Sequence, residues 1–231
     1  MVNSFGNLTA VAILCAPMLV GAQVAGTSDV ETQARIQRNG AGLRAGVWNV
    51  RDLEPAEGNS SDRSPLFEGY FQKGLDLHLA LENTLSVWRW HQSGTRTQSG
   101  GLLGGSTTTT ETVDAYVVPF FTSLKVFPFT KPSAKLEPYF LGGAGLGLGI
   151  EDRSSDNASG LYGGSSNDAP SMVTGFGFKG GTGIEWRFSQ AFGLTVGARY
   201  QWMRFFGDLA GRENYQGLAL DGGLVYRYQY R

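Results

Sequence analysis

Lys135 to Ile150 reads K-L-E-P-Y-F-L-G-G-A-G-L-G-L-G-I, and this stretch decides the fold. From Phe140 every second residue belongs to one series: Phe140, Gly142, Ala144, Leu146, Leu148 and Ile150. The interleaved series is Leu141, Gly143, Gly145, Gly147 and Gly149. Side chains on a strand alternate between faces, so one face here is aliphatic and the other almost bare. Glycine at every second position weakens an ordinary strand. The pattern is physically sensible when the glycine face looks into a crowded, narrow barrel and the aliphatic face looks at lipid. Closure also leaves no unpaired backbone edge in hydrocarbon.

The same alternation recurs along the chain. A first strand over about Gly40 to Leu53 sets Leu43, Ala45 and Val47 against Arg44, Gly46 and Trp48. A second, about Pro65 to Gly74, sets Phe67, Gly69 and Phe71 against Glu68, Tyr70 and Gln72. A third, about His78 to Gln92, sets Leu79, Leu81, Leu85 and Val87 against Ala80, Glu82, Thr84 and Ser86. The fourth, about Thr112 to Phe127, contains Pro119, which cannot donate to a ladder and predicts a bulge. The sixth, seventh and eighth run over about Met172 to Phe188, Phe192 to Arg204 and Tyr215 to Tyr230.

Long polar connections at about Glu54–Ser64, Ser93–Glu111, Glu151–Ser171 and Phe205–Asn214 alternate with short ones. That alternation predicts an all-β fold, an eight-stranded antiparallel up-and-down transmembrane β-barrel with short periplasmic turns and long extracellular loops.

Composition agrees. The chain has 231 residues, enough for one all-β domain, with 34 glycines, about twice the usual share. A net charge of −1 gives no footprint for nucleic acid. Cys15 lies in an apolar run, Leu8 to Val20, of signal-peptide length, before the small-residue site Val20-Gly21-Ala22. Met1 to Asn7 lacks the usual Lys or Arg. The expected organisation is a signal peptide at 1–22, a periplasmic linker at 23–39 with a helical turn around Val30 to Ile36, and the barrel at 40–231.

Tyr116 to Phe129, Y-V-V-P-F-F-T-S-L-K-V-F-P-F, followed by L-E-P-Y-F-L-G-G-A-G-L-G at Leu136 to Gly147, resembles the small outer-membrane β-barrel superfamily of OmpA-like and OmpW-like porin-type proteins. F-G-F-K-G-G-T-G-I-E-W-R-F at Phe176 to Phe188 and the tyrosine-alternating end resemble it too. The likeness covers roughly Gly40 to Arg231. It implies export to the outer membrane of a Gram-negative-type bacterium. The implied partners are outer-membrane lipid, lipopolysaccharide and the barrel-assembly machinery, with no cofactor. The family usually ends on an aromatic residue, whereas here Arg231 follows Tyr230.

The inward series carries Arg44, Glu68, Glu82, Lys125, Lys179, Glu185, Arg187, Arg199, Asp221 and Arg227. Both signs occur, and buried charges need partners, so these predict a paired network filling the lumen. The competing reading is an ion path, and the resemblance adds a narrow channel for small or hydrophobic solutes. Lipid-interface aromatics are expected at Trp186, Phe188, Tyr200, Trp202, Tyr226, Tyr228 and Tyr230. Trp88 and Trp90 stand near the outer girdle, although their parity is inward.

His91 and Ser93 stand two apart and faintly resemble the His-x-Ser of lipid A deacylases, with Glu111 as third member, which makes a lipid A-modifying hydrolase the remote alternative. His78, far from His91, makes a poor metal site with it. Gly175 to Gly180 matches G-x-G-x-x-G, but the chain continues as strand where a dinucleotide site needs a helix.

Overall fold

The computed structural model describes residues 38–51, 59–60, 63–99, 106–129, 135–157, 165–167 and 171–228. The expected signal peptide, the helical turn around Val30 to Ile36, and Tyr230 with Arg231 lie outside the described residues. Eight long strands form the barrel: β1 (Gly40–Arg51), β3 (Arg63–Gly74), β4 (Leu79–Ser99), β5 (Ser106–Val126), β6 (Leu136–Asn157), β8 (Ser171–Arg187), β9 (Phe192–Leu209) and β10 (Arg212–Arg227). Two short strands, β2 (Asn59–Ser60) and β7 (Ser165–Asn167), add to β4 and β6. The order β4-β3-β1-β10-β9-β8-β6-β5 closes through an antiparallel β4–β5 ladder. Every neighbour in the closed ring except β1–β10 is consecutive among the long strands, the meander that short connections produce.

One end of the barrel carries tight turns. Between β3 and β4, the Asp76 carboxylate accepts from the His78 and Leu79 amides at 2.6 and 2.7 Å. Between β8 and β9, Ser189 Oγ accepts from the Phe192 amide at 2.8 Å. The other end carries the tall hairpins. Here strand pairing runs beyond the hydrophobic alternation. The β4–β5 ladder continues to Ser99↔Ser106, and β5–β6 to Thr109↔Asn157, through stretches that the sequence reading assigns to loops. Likewise Phe205 to Asn214 is a hairpin closed by Leu209↔Arg212 around Ala210 (φ 52°) and Gly211 (φ 77°), the left-handed pair of a two-residue turn. Polarity marks where both faces meet water, and hydroxyl side chains are compatible with a ladder.

Pro119 makes no bulge. The β4–β5 pairs Leu85↔Phe120 and Trp88↔Val117 keep one register on either side of it, and Pro119 itself is buried. The missing amide interrupts the pairing with β4 without shifting it.

The exterior is apolar. Leu43, Phe67, Phe71, Leu146, Val196 and Leu220 are all exposed on outward positions. A soluble barrel would expose polar groups there, so this face is built for hydrocarbon. Trp186 and Phe188, with ring centroids 6.0 Å apart, and Phe192 and Tyr226, 5.3 Å apart, girdle the tight-turn end. Tyr200 is exposed, while Trp202 is half-buried against Phe176 and Phe178. Tyr228 is half-buried just past β10.

The glycine face of β6 looks inward and is crowded. A methyl group on Gly145 would stand 2.7 Å from Phe121 Cδ1, whereas one on outward Gly142 would meet nothing within 4 Å. The bare face is therefore what lets bulky lumen side chains pack against this wall.

Candidate functional site

The lumen is filled, and it is filled in two different ways. Towards the tight-turn end lies a network of charges. Arg44, on β1, donates from Nη1 to Glu68 Oε1 at 2.6 Å and from Nη2 to Glu82 Oε2 at 2.6 Å. Arg199, on β9, reaches across to the same Glu68 Oε1 at 2.5 Å and holds Asp221 through Nε at 2.9 Å. Lys179 Nζ donates to Thr84 Oγ1 at 2.6 Å and stands 3.7 Å from Glu68 Oε2. Lys125 Nζ contacts Glu185, donates to Gln72 Oε1 at 3.1 Å and lies 3.9 Å from the Tyr139 ring centroid. Arg227 contacts Glu185 and, at 3.4 Å, Glu137. Arg187 meets Glu137 at 2.7 Å, and its side chain is the most exposed of the set at 16%.

The structure thus brings all ten inward charges read from the sequence into one connected set. Strand alternation puts each inside, and burial makes each seek an opposite charge there, supplemented by lumen hydroxyls, amides and aromatic rings. Two members escaped the sequence reading. Glu137 sits on the inward parity of β6 ahead of Pro138, before the regular alternation begins at Phe140. Arg38 precedes β1, in the segment read as linker. It donates to the Leu77 carbonyl at 2.8 Å, meets Glu137 at 3.3 Å and covers the Phe127 ring at 3.8 Å. Gln72 Nε2 donates to the Arg38 carbonyl, and Asn39 Oδ1 accepts from the Gly74 amide, both at 3.0 Å. Residues 38–39 are thereby fastened across the tight-turn mouth.

Towards the hairpin end the lumen is mainly apolar, with the buried Glu151 accepting from the Ala210 amide. Trp48, Leu66, Trp88, Trp90, Met203 and Phe205 form its centre, each at most 2% exposed. Trp48 meets Trp88 edge-on at 4.2 Å between centroids, and Tyr215 follows at 5.5 Å. Trp88 and Trp90 therefore line the interior, as their parity requires, and take no part in the outer girdle. The indole nitrogens of Trp48, Trp88 and Trp90 and both amide atoms of Gln201 find no hydrogen-bond partner among the described residues.

A third group lies outside the wall. His91 Nδ1 is 2.8 Å from Asp114 Oδ1, and Arg89 donates to the same oxygen from Nε at 3.1 Å and Nη2 at 2.9 Å. Burial raises the Asp114 carboxyl, but the hydrogen bonds from His91 and Arg89 outweigh it, so the group is held below the usual carboxylate range. Asp114, on the rung paired with His91, takes the place that the sequence reading gave to Glu111, which pairs instead with Gly94. Among the described residues no group of three His, Cys, Asp or Glu side chains is arranged to hold a metal.

The chain is similar in structure to small eight-stranded outer-membrane β-barrels. OprG from Pseudomonas aeruginosa matches with a TM-score of 0.49 and 14% identity, over 84% of this chain and 100% of that one. Ail, the attachment invasion locus protein of Yersinia pestis, solved with the heparin analogue sucrose octasulfate, matches with a TM-score of 0.41 and 14% identity, over 83% and 99%. Neisserial surface protein A matches with a TM-score of 0.40 and 14% identity, over 83% and 97%. No protein-family model matches the chain, and no curated protein matches it by sequence.

Proposed function

We propose that this chain is an integral protein of a bacterial outer membrane whose lumen is a structural plug and whose work, structural, adhesive or ligand-binding, is done on its external surface. The observation that carries this reading is the filling of the interior. Glu82, Lys125, Trp48, Phe121, Gln201 and Arg199 are each 0% exposed, at levels spread along the barrel. A conducting lumen needs water in contact with its lining, and an eight-stranded barrel is just wide enough for side chains to fill. The apolar exterior, with aromatic pairs at the tight-turn end, supports the membrane location. By the usual arrangement the tight turns are periplasmic and the tall hairpins external. The β4–β5–β6 ladders, standing beyond the apolar belt, are then the surface presented to a partner.

Planar-bilayer recording of the refolded protein tests the plug. The expected record is flat at conditions where heat-dependent gel mobility shows a folded barrel. Steady unitary conductance from the same sample would sink the reading. A second reading, a narrow passage for small hydrophobic solutes, is favoured by one specific feature: the apolar half of the lumen, whose indole N–H groups find no partner among the described residues. Uptake of an apolar dye into proteoliposomes, absent from empty ones, distinguishes it.

A further inference from the structure

On β4 the outward positions run Leu79, Leu81, Asn83, Leu85 and Val87 from the tight-turn end, and then change to Arg89 and His91. On β5 they run Val126, Leu124, Thr122, Phe120, Val118 and Tyr116, and then change to Asp114. Arg89 pairs with Tyr116 and His91 with Asp114, so the change falls at one level on both strands. Leu79 to Val87 and Tyr116 to Val126 match the roughly 9–11 residues a tilted strand needs to cross hydrocarbon. The first outward charges on these two strands therefore stand where acyl chains give way to headgroups.

Their geometry is that of a fork. Asp114 Oδ1 takes Nε and Nη2 of Arg89 and lies against Nδ1 of His91. Among the described residues this leaves Arg89 Nη1 and His91 Nε2 without a hydrogen bond. About half of each side chain is exposed, 49% for Arg89 and 50% for His91. The Tyr116 ring supports the guanidinium at 5.6 Å. Directly below lies an apolar stripe of Leu85, Val87, Tyr116 and Phe120, each about two-fifths exposed. Arg63, exposed on the neighbouring β3, adds a third basic group at this end.

Resting on the outer-membrane reading above, we propose that the Arg89–His91–Asp114 fork and the stripe beneath it form one binding site for a phosphorylated lipid of the outer leaflet. Arg89 donates to the phosphate, His91 donates to it from Nε2 as the imidazolium whose Nδ1–H is turned to Asp114, and an acyl chain lies along Leu85, Val87 and Phe120. Arginine suits phosphate because its planar fork donates in parallel, and basic groups at a bilayer surface attract anionic headgroups. Asp114 is a positioning residue: it fixes the direction of both donors.

The test is native mass spectrometry of the full chain, refolded and titrated with diphosphorylated lipid A or with its dephosphorylated form. The expected result is retention of the phosphorylated lipid, about tenfold weaker retention in Arg89→Ala with His91→Ala, and little retention of the dephosphorylated form. Asp114→Ala separates a fork from a mere field. If the site is a fork, retention weakens; if net charge alone attracts the lipid, removing a carboxylate strengthens retention and the proposal fails. Equal retention of both lipids, or of one lipid by wild type and double variant, also overturns it. Insertion is scored first by heat-dependent gel mobility. A protein that inserts but ignores these changes overturns the site alone, and one that never inserts overturns the membrane reading with it.

Discussion

The two halves of the lumen solve the same packing problem with opposite chemistry. The half near the tight turns is charged, and every ionised side chain there meets an opposite charge. The half near the hairpins is mostly aromatic and aliphatic, packed ring against ring, with the buried Glu151 accepting from the Ala210 amide. The difference separates specificity from packing. Ion pairs such as Arg199–Glu68 and Arg44–Glu82 join residues far apart in sequence, on strands that are not neighbours in the sheet, and each needs the strands in this register. Rings tolerate a shift; a bidentate pair does not. On this view the charged half fixes how the barrel closes, and the apolar half fills what closure leaves.

The sharpest way to break the comparison is to remove one carboxylate. Glu82→Ala strips a partner from both Arg44 and Lys125, and the cost expected for breaking a buried network is about 3–5 kcal/mol. Urea unfolding in lipid vesicles, followed by tryptophan fluorescence, reads it. Arg44→Met together with Glu82→Leu should cost less than the two single changes added, because Glu68 keeps Arg199 and Lys125 keeps Glu185. Strict additivity would mean that these charges do not act as a pair.

In the apolar half, Trp88→Ala removes the partner of Trp48 and Tyr215 and should cost about 3 kcal/mol by leaving a cavity. It should nevertheless leave bilayer recordings flat, since the charged half still seals the lumen. Conductance from this single change would place the seal among the tryptophans and reverse the roles of the two halves.

How much of this was legible in the residues follows from what each signal depends on. Alternation depends only on the pleat, so the eight long strands, the inward charges and the outward aliphatics could be read directly. Trp88 and Trp90 were legible by parity and obscured by composition, because tryptophan near a strand end also suits a girdle. Strand ends were not legible, since alternating hydrophobicity stops at the edge of the hydrocarbon while hydrogen bonding goes on to Ser99↔Ser106. Arg38 was hidden because it precedes the alternation and reaches the mouth through a backbone path that no local pattern reports. The Arg89–His91–Asp114 fork needed the register, as Asp114 is opposite His91 only once β4 and β5 are paired.

A smaller effect compares inside with outside at adjacent glycines. Gly145→Ala would press a methyl group against the Phe120 carbonyl oxygen and the Phe121 ring and should cost about 1–3 kcal/mol, whereas Gly142→Ala, with nothing within 4 Å, should stay within about 0.5 kcal/mol of wild type. A larger cost at Gly142 than at Gly145 would mean that the two faces of β6 are assigned the wrong way round, and equal costs that the inner face is no more crowded than the outer.

The smallest effect lies outside the lumen and measures how much a charge pair contributes without burial. Asp114 is held below the usual carboxylate range, so the folded state favours its ionised form. A depressed carboxyl contributes stability that is complete above its unfolded value, near 4, and is lost as pH falls through the folded one. With Arg89 half exposed to solvent, screening limits that contribution to a few tenths of a kcal/mol up to about 1. Unfolding free energy measured from pH 7 down to pH 3 should therefore fall slightly less in Asp114→Asn than in wild type. The pair Glu82 and Asp114 then spans the range that one kind of interaction covers here. The same carboxylate–arginine contact costs several kcal/mol to break where water is excluded and only tenths where it is not. If Asp114→Asn proved as destabilising as Glu82→Ala, burial could not be what makes the lumen network strong.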